Sequence, residues 1–483
     1  MNKLYKNWSL LTLSNIVYQG LFFLSFVKIA RLFKPELYGI FTVIITSTQM
    51  AQIFSALGLQ KITIREIARD YNKQYIVAKL TLLPTIIASL ISAIFLVVYL
   101  FIFENINESF TLIVSAIIFV SLMVWNYAEP LAFGKQQMKI SANINIVSSC
   151  IFTAMVFFIP SAYLSFYTVI AIYCGIFLIR ALVYIILEWK DGYFIKTADA
   201  HQEGITVKYL LAKSLAFYGT TLLSIPIVQL PVLFLSQFSG EKEVGYFGII
   251  NKLSMPLSLI ANNLFTALYP VLAKHFVDDK NAFKEKTTKL FCLLSISGIV
   301  LSAFLGFFSK EVVGIVLGNL YLPATKTFSI QVWATLLIIQ NTFIGTIFLA
   351  TDEEKLMVKL SVLNSILIGS ACYIGAYYGS FGLSLSMWGS LALGFIPHWY
   401  FMTKRVNLRF EPRLVSFLSL YFLAFSIVSI SLTGFPLAYR IPIFLMVSVV
   451  VYLTLKKYFV SDVIFAFNYI RNYFKKKYLT IAD

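Results

Sequence analysis

Residues 80–103 read LTLLPTIIASLISAIFLVVYLFIF, 24 positions without a charged side chain, between Lys79 and Glu104. A hydrocarbon core about 30 Å thick is crossed by roughly 20 apolar residues rising 1.5 Å each, so this run is long enough to span a membrane as a helix. It does not alternate apolar and polar residues, as a strand of a spanning barrel would. Comparable runs lie at 10–30, 37–59, 110–128, 142–159, 166–187, 215–236, 244–271, 290–309, 327–350, 360–378, 383–403, 414–434 and 441–455, so that fourteen spans are expected. The predicted fold is an all-α polytopic membrane protein with 12 to 14 transmembrane helices.

The whole composition agrees. Of 483 residues 59% are hydrophobic and 13% charged, against about 25% charged in a soluble domain. A soluble enzyme or binding module is excluded. A net charge of +17 would suggest a nucleic-acid partner in a soluble chain, but here the placement of the charges explains it. If the N-terminus is cytoplasmic, thirty Lys and Arg fall in the inner segments and six in the outer loops, and Lys28, Arg180 and Lys252 fall within helices. That division is the positive-inside pattern. It predicts cytoplasmic N- and C-termini and attraction to anionic lipids, with no nucleic-acid partner. The first run follows Lys3 and Lys6 without a small-x-small cleavage site, and is expected to be a retained helix. The stretch 456–478 interleaves apolar and basic residues and is expected to lie along the interface.

No connection is long enough for a separate folded domain, so function is expected among the helices. Cys150, Cys174, Cys292 and Cys372 lie in apolar runs without pairing or ligand spacing, and read as core thiols. His201, His275 and His398 are far apart in sequence, and no phosphate-binding G-x-x-x-x-G-K-[ST] loop occurs. Neither a metal nor a cofactor is expected, and no catalytic residue is assigned.

The intramembrane charges are all basic on this reading, with no acid deep in a helix. A central Lys or Arg costs roughly 2.5 to 3.5 kcal/mol to insert, so an anionic substrate would give these cations a reason. Lys28 shares a helical face with Ser14, Tyr18 and Ser25, and Lys252 shares one with Pro256, Asn263 and Thr266. Pro256 is expected to loosen the helix near its cation. Arg180 can grip a phosphate bidentately. The substrate-binding candidates are therefore Arg180, Lys252, Lys28, Asn263 and Tyr18; the competing reading of the cations is snorkelling to the headgroups. Gln19, Gln49, Gln52, Gln229, Gln340 and Asn341 could line a sugar path or bond neighbouring helices. Glu129, before Pro130, is expected to end its helix at the interface.

A faint repeat relates Lys34-Pro35-Glu36-Leu37-Tyr38-Gly39 to Glu241-Lys242-Glu243-Val244-Gly245-Tyr246; aligning Glu36 with Glu243 sets an offset of 207 residues. Six helices separate the two, an even number, so the repeats have the same orientation.

The stretch Ala30-Arg31-Leu32-Phe33-Lys34-Pro35-Glu36-Leu37-Tyr38-Gly39, with Leu57-Gly58-Leu59 and Arg65-Glu66-Ile67-Ala68, resembles the start of bacterial polysaccharide exporters of the O-antigen flippase (Wzx) type. Val244-Gly245-Tyr246, Tyr269-Pro270, Tyr321-Leu322-Pro323-Ala324, Asn364 and Tyr378-Gly379-Ser380-Phe381-Gly382 follow in the family's order. The resemblance runs from residue 1 to about 400, and its motifs are shared with multidrug and oligosaccharidyl-lipid exporters. It implies a six-helix lobe over 1–208, a second over 209–403, and two accessory helices with a basic tail over 404–483. It also implies a cargo of undecaprenyl-pyrophosphate-linked oligosaccharide, flipped across the bacterial inner membrane from the cytoplasmic to the periplasmic leaflet. An O-antigen polymerase and a chain-length regulator are the protein partners it suggests. The alternatives are a multidrug antiporter, which generally needs a membrane carboxylate, a peptidoglycan-precursor flippase, and a membrane glycosyltransferase or polymerase, which usually carries a larger outer loop.

Overall fold

The computed structural model describes residues 2–191, 206–408, 410–446, 448, 449 and 453; the expected interfacial stretch 456–478, His201 and the end of the run 441–455 lie outside them. Among the described residues there is no strand. The helices are α1 (Asn2–Leu32), α2 (Pro35–Ala56), α3 (Leu59–Arg69), α4 (Gln74–Ile102), α5 (Ser109–Gly134), α6 (Met138–Phe158), α7 (Phe166–Lys190), α8 (Val207–Leu222), α9 (Ile225–Val228) and α10 (Leu230–Ser239). They continue with α11 (Glu241–Asp278), α12 (Lys280–Phe307), α13 (Ser309–Leu317), α14 (Thr325–Ala350), α15 (Glu354–Gly375), α16 (Gly379–Arg405), α17 (Pro412–Ser431) and α18 (Leu437–Met446). Among the described residues, twelve segments are long and apolar enough to cross a membrane; one of them, Glu354–Arg405, contains both α15 and α16. The all-helical multi-pass expectation holds.

Local chemistry sets the helix ends. Pro35 begins α2, where its missing N–H costs nothing. The helix stops because Leu57 and Gly58 both take left-handed conformations, at φ 48° and 67°. A Cβ on Gly58 would lie 2.7 Å from the Ser214 carbonyl oxygen, so the turn also needs the missing side chain. Asp279 caps α12 by accepting from the Asn281 and Ala282 amides, each at 3.0 Å. The connection after α2 holds an unexpected element: α3 buries Leu59, Ile62, Thr63, Glu66 and Ile67 along one face.

Four readings are corrected. The run 215–236 is not one helix but the broken series α8 to α10, interrupted around Pro226 and Pro231, which cannot donate to the ladder. Conversely, α11 continues through Pro256 and Pro270, so Pro256 does not open the helix beside Lys252. Helix α5 likewise continues through Pro130 to Gly134, which puts Glu129 inside the span rather than at its end. Cys174, Cys292 and Cys372 are buried thiols, but Cys150 is exposed on α6, so it is not a core residue.

The chain packs as two units, Met1–Lys252 with Ala376–Ser380, and Leu253–Gly375 with Phe381–Asp483. In the first unit, Phe22 and Phe152 stack at 4.8 Å, and Tyr173 meets both edge-on. In the second, Phe291, Phe343, Trp399 and Phe410 form the corresponding core. There Arg440, fully buried, donates to both carboxylate oxygens of Glu311 and, at 2.7 Å, to the Phe307 carbonyl. It thereby pins the start of α18 to the end of α12 and to α13. Leu90, Ile91 and Ile94 on α4 are exposed, as expected of a face turned to lipid.

Candidate functional site

Four helices of the first unit converge on Arg180. It projects from the middle of α7 and is 1% exposed. Its Nη2 donates to Asn145 Oδ1 on α6 at 2.7 Å, and its Nη1 to the Tyr18 hydroxyl on α1 at 3.2 Å. The guanidinium carbon lies 4.2 Å from the Trp125 ring centroid on α5, and 5.3 and 5.4 Å from those of Tyr18 and Phe177. Aromatic faces carry partial negative charge and so solvate a cation that water cannot reach. One guanidinium nitrogen has no partner at all: Nε is buried without a hydrogen bond. An unpaired charged donor in a dry site is costly, and an anion entering the cage would relieve it.

A second polar layer lies one turn away. Ser141 on α6 and Tyr184 on α7 share a hydrogen bond of 2.9 Å, and the Tyr184 hydroxyl points at Glu129 Oε1 from 3.5 Å. Glu129 lies within electrostatic range of Arg180. The expectation that no acid enters the helices is thereby corrected. The cause is that α5 does not end at Pro130, so Glu129 stays on the helix face of Trp125, four residues before it. Glu188, in the last turn of α7, is a further buried acid, and Lys135 lies 3.9 Å from it.

The sequence candidates are distributed unevenly. Arg180 and Tyr18 meet. Lys252, on α11, is half-buried and holds its Nζ 5.0 Å from the ring centroid of Phe26. Phe26 is two residues before half-buried Lys28 on α1. Asn263 belongs to the second unit and donates to the Leu259 carbonyl of its own helix at 3.0 Å, so its amide nitrogen serves α11 itself. Of the other amides, Gln52 and Gln60 both donate to Asn126 Oδ1, and Gln340 donates to Ser295. Both side-chain polar atoms of Asn341 are buried and unpartnered.

Asn145, Trp125 and Tyr184 were not singled out from sequence. Their signal was weak but present: Arg180 and Tyr184, like Trp125 and Glu129, are four residues apart on one helix face. No group of His, Cys, Asp or Glu able to hold a metal occurs among the described residues.

In the second unit, Phe291, Ile299, Leu337, Phe395, Leu418 and Phe422 contribute to an almost wholly apolar cavity of about 440 Å³. Its few polar groups include Ser295 and Gln340.

Among solved structures, the chain is similar to the lipid II flippase MurJ in an inward closed conformation. The TM-score is 0.68 at 17% identity, over 94% of this chain and 99% of that one. It is also similar to a multidrug resistance MATE family transporter of the MOP superfamily in an inward-facing conformation, with a TM-score of 0.59 at 15% identity over 80% and 94% of the two chains. An outward-facing structure of a MATE family transporter gives 0.52 at 12% identity, over 84% and 95%. At these identities the likeness establishes the fold. No curated protein matches the chain by sequence. The model of one family, described as polysaccharide biosynthesis protein, matches residues 4–276, more than half of the chain, and to that family this multi-pass membrane protein belongs.

Proposed function

We propose that this protein is a flippase that moves an undecaprenyl-pyrophosphate-linked oligosaccharide repeat unit, of the O-antigen kind, from the cytoplasmic to the periplasmic leaflet of the bacterial inner membrane. The observation that carries the reading is the caged Arg180 with its unused Nε donor. A pyrophosphate is the anion such a fork suits, because guanidinium donors match phosphate oxygens in pairs. Tyr18 and Asn145 then become the neutral groups that aim the fork, and Lys252 and Lys28 supply further positive charge. The apolar cavity of the second unit fits a stretch of polyprenyl chain. The cargo crosses by alternating access of the lobes 1–208 and 209–403. Chain-building enzymes of the same pathway, a polymerase and a chain-length regulator, are the partners consistent with this role. The family's place in polysaccharide biosynthesis and the fold shared with a lipid II flippase support a lipid-linked saccharide over other anions.

One observation favours a second reading. Glu129 supplies the membrane carboxylate that a cation-coupled multidrug antiporter needs. The two readings separate in proteoliposomes offered a fluorescent undecaprenyl-pyrophosphate disaccharide or a lipophilic cation. Translocation of the lipid that falls about tenfold or more in Arg180→Gln supports the flippase; the range follows from a lost charge-assisted hydrogen bond of about 1.5 to 3 kcal/mol. Unchanged lipid translocation by an Arg180→Gln/Lys252→Gln double variant overturns it. Uptake of the cation that requires Glu129 supports the antiporter.

A further inference from the structure

Within the first unit, α2 meets the first turns of α11 in a crossing that repeats itself. A Cβ on Gly39 would lie 1.8 Å from the Glu241 carbonyl oxygen, and one on Gly245 would lie 1.9 Å from the Pro35 carbonyl oxygen. Each glycine thus abuts the carbonyl four residues before the other. Three residues further on, a Cβ on Gly248 would lie 2.7 Å from Thr42 Cγ2 and 3.3 Å from Thr42 Cβ. Position 39 pairs with 245, 35 with 241 and 42 with 248, all with an offset of 206 residues, which is also the offset between the starts of α2 and α11. The spatial repeat therefore runs one residue short of the 207 read from Glu36 and Glu243. Under the new register Glu36 pairs with Lys242, and these two lie 4.0 Å apart.

Glu243 is consequently free of the crossing and does other work. Its Oε2 accepts from the Ser380 amide at 2.8 Å, at the beginning of α16. Gly379, with φ 75°, leaves room for that carboxylate. Ser239 binds the same turn, donating to the Ala376 carbonyl at 2.6 Å and accepting from the Gly379 amide at 3.2 Å. Helices α11 and α16 both start in the first unit and continue into the second. The starts of α2, α11 and α16 are therefore clasped together at one end of the spans.

We propose that this clasp is a closed gate on the side assigned to the outside by the charge pattern, held by backbone contact between Gly39 and Gly245 and by Glu243 on the start of α16, and that it must separate during each transport cycle. Close backbone contact at glycines suits a gate, because the helices approach closely enough there to exclude lipid and solvent. The inference rests on the flippase reading for what passes, but not for whether the gate moves.

Spin labels replacing Glu36 and Lys242 test the movement, because an exposed ion pair of that length contributes little. The full chain in liposomes should give a short and a long distance population. Glu243→Gln should enrich the long one, and Gly39→Leu, whose side chain has no room, should abolish the short one. A Thr42→Cys/Gly248→Cys pair has Cβ atoms close to disulfide separation. Its oxidation should stop translocation of fluorescent undecaprenyl-pyrophosphate disaccharide, and reduction should restore it. A single short distance that Glu243→Gln leaves unchanged overturns the gate, as does undiminished transport by the oxidised pair. If the unsubstituted chain does not move the probe, the cargo assignment fails, while the label distances still decide the gate.

Discussion

Arg180 illustrates how a charge is tolerated inside a membrane protein. Three rings, one of them also offering its phenol hydroxyl, and an amide take the place of water around it. Asn145 is the partner at the shortest distance, and Asn145→Leu removes its acceptor while keeping much of its volume. That substitution leaves a second guanidinium donor unpaired and should cost about 1 to 3 kcal/mol. A lower thermal midpoint of the detergent-solubilised protein would show it, and the lipid-linked substrate should recover part of the loss by supplying an acceptor. Arg180→Lys should transport less than the parent, because an ammonium keeps the charge but loses the fork. Transport by Arg180→Lys equal to that of the unsubstituted chain, measured with the same fluorescent lipid, would show that only charge matters.

Elements outside the spans carry their own tests. Helix α13 holds Glu311 against buried Arg440. Burial pushes the Glu311 carboxyl up, but the Arg440 hydrogen bonds and charge prevail, and it titrates below the ordinary carboxylate value. A carboxylate depressed in the folded state contributes stability that is present above its unfolded value and is lost as pH falls through the folded one. Glu311→Gln should therefore destabilise the protein at neutral pH, by about 3 kcal/mol if the stranded Arg440 behaves as other buried partners do. The gap between variant and parent should close as pH drops below the carboxylate range, which melting curves across pH would reveal. Helix α3 was legible in principle, since Leu59, Ile62, Thr63, Glu66 and Ile67 repeat with helical spacing. It was overlooked because Lys61, Arg65 and Arg69 interrupt the hydropathy on which span finding depends.

At the scale of the molecule, sidedness follows from the placement of the basic residues. The thirty-to-six division of basic residues places Lys280 inside and Asn319 outside. Both are exposed in the structure. In a background with Cys150 replaced by Ser, Asn319→Cys in intact cells should react with an impermeant thiol reagent and Lys280→Cys should not. The reverse labelling would invert the orientation, and with it the side on which the glycine crossing acts.

Hydrophobic length and the placement of basic residues are local properties, read a few tens of residues at a time. For that reason the sequence alone determined the all-helical class and nearly every span, and it is the source of the orientation to be tested. It also located the three cations. What surrounds them was decided only by tertiary structure, because Arg180 reaches Tyr18 across 162 positions and Asn145 across 35. The continuity of α5 through Pro130, which turns Glu129 into a neighbour of that cage, depends on packing that can override the helix-breaking tendency of a proline. The register of the repeat was decided in the same way. Two glutamates suggested an offset of 207 residues, and the closest approach of two backbones made it 206, since Gly39 and Gly245 lack the atoms that would keep the helices apart.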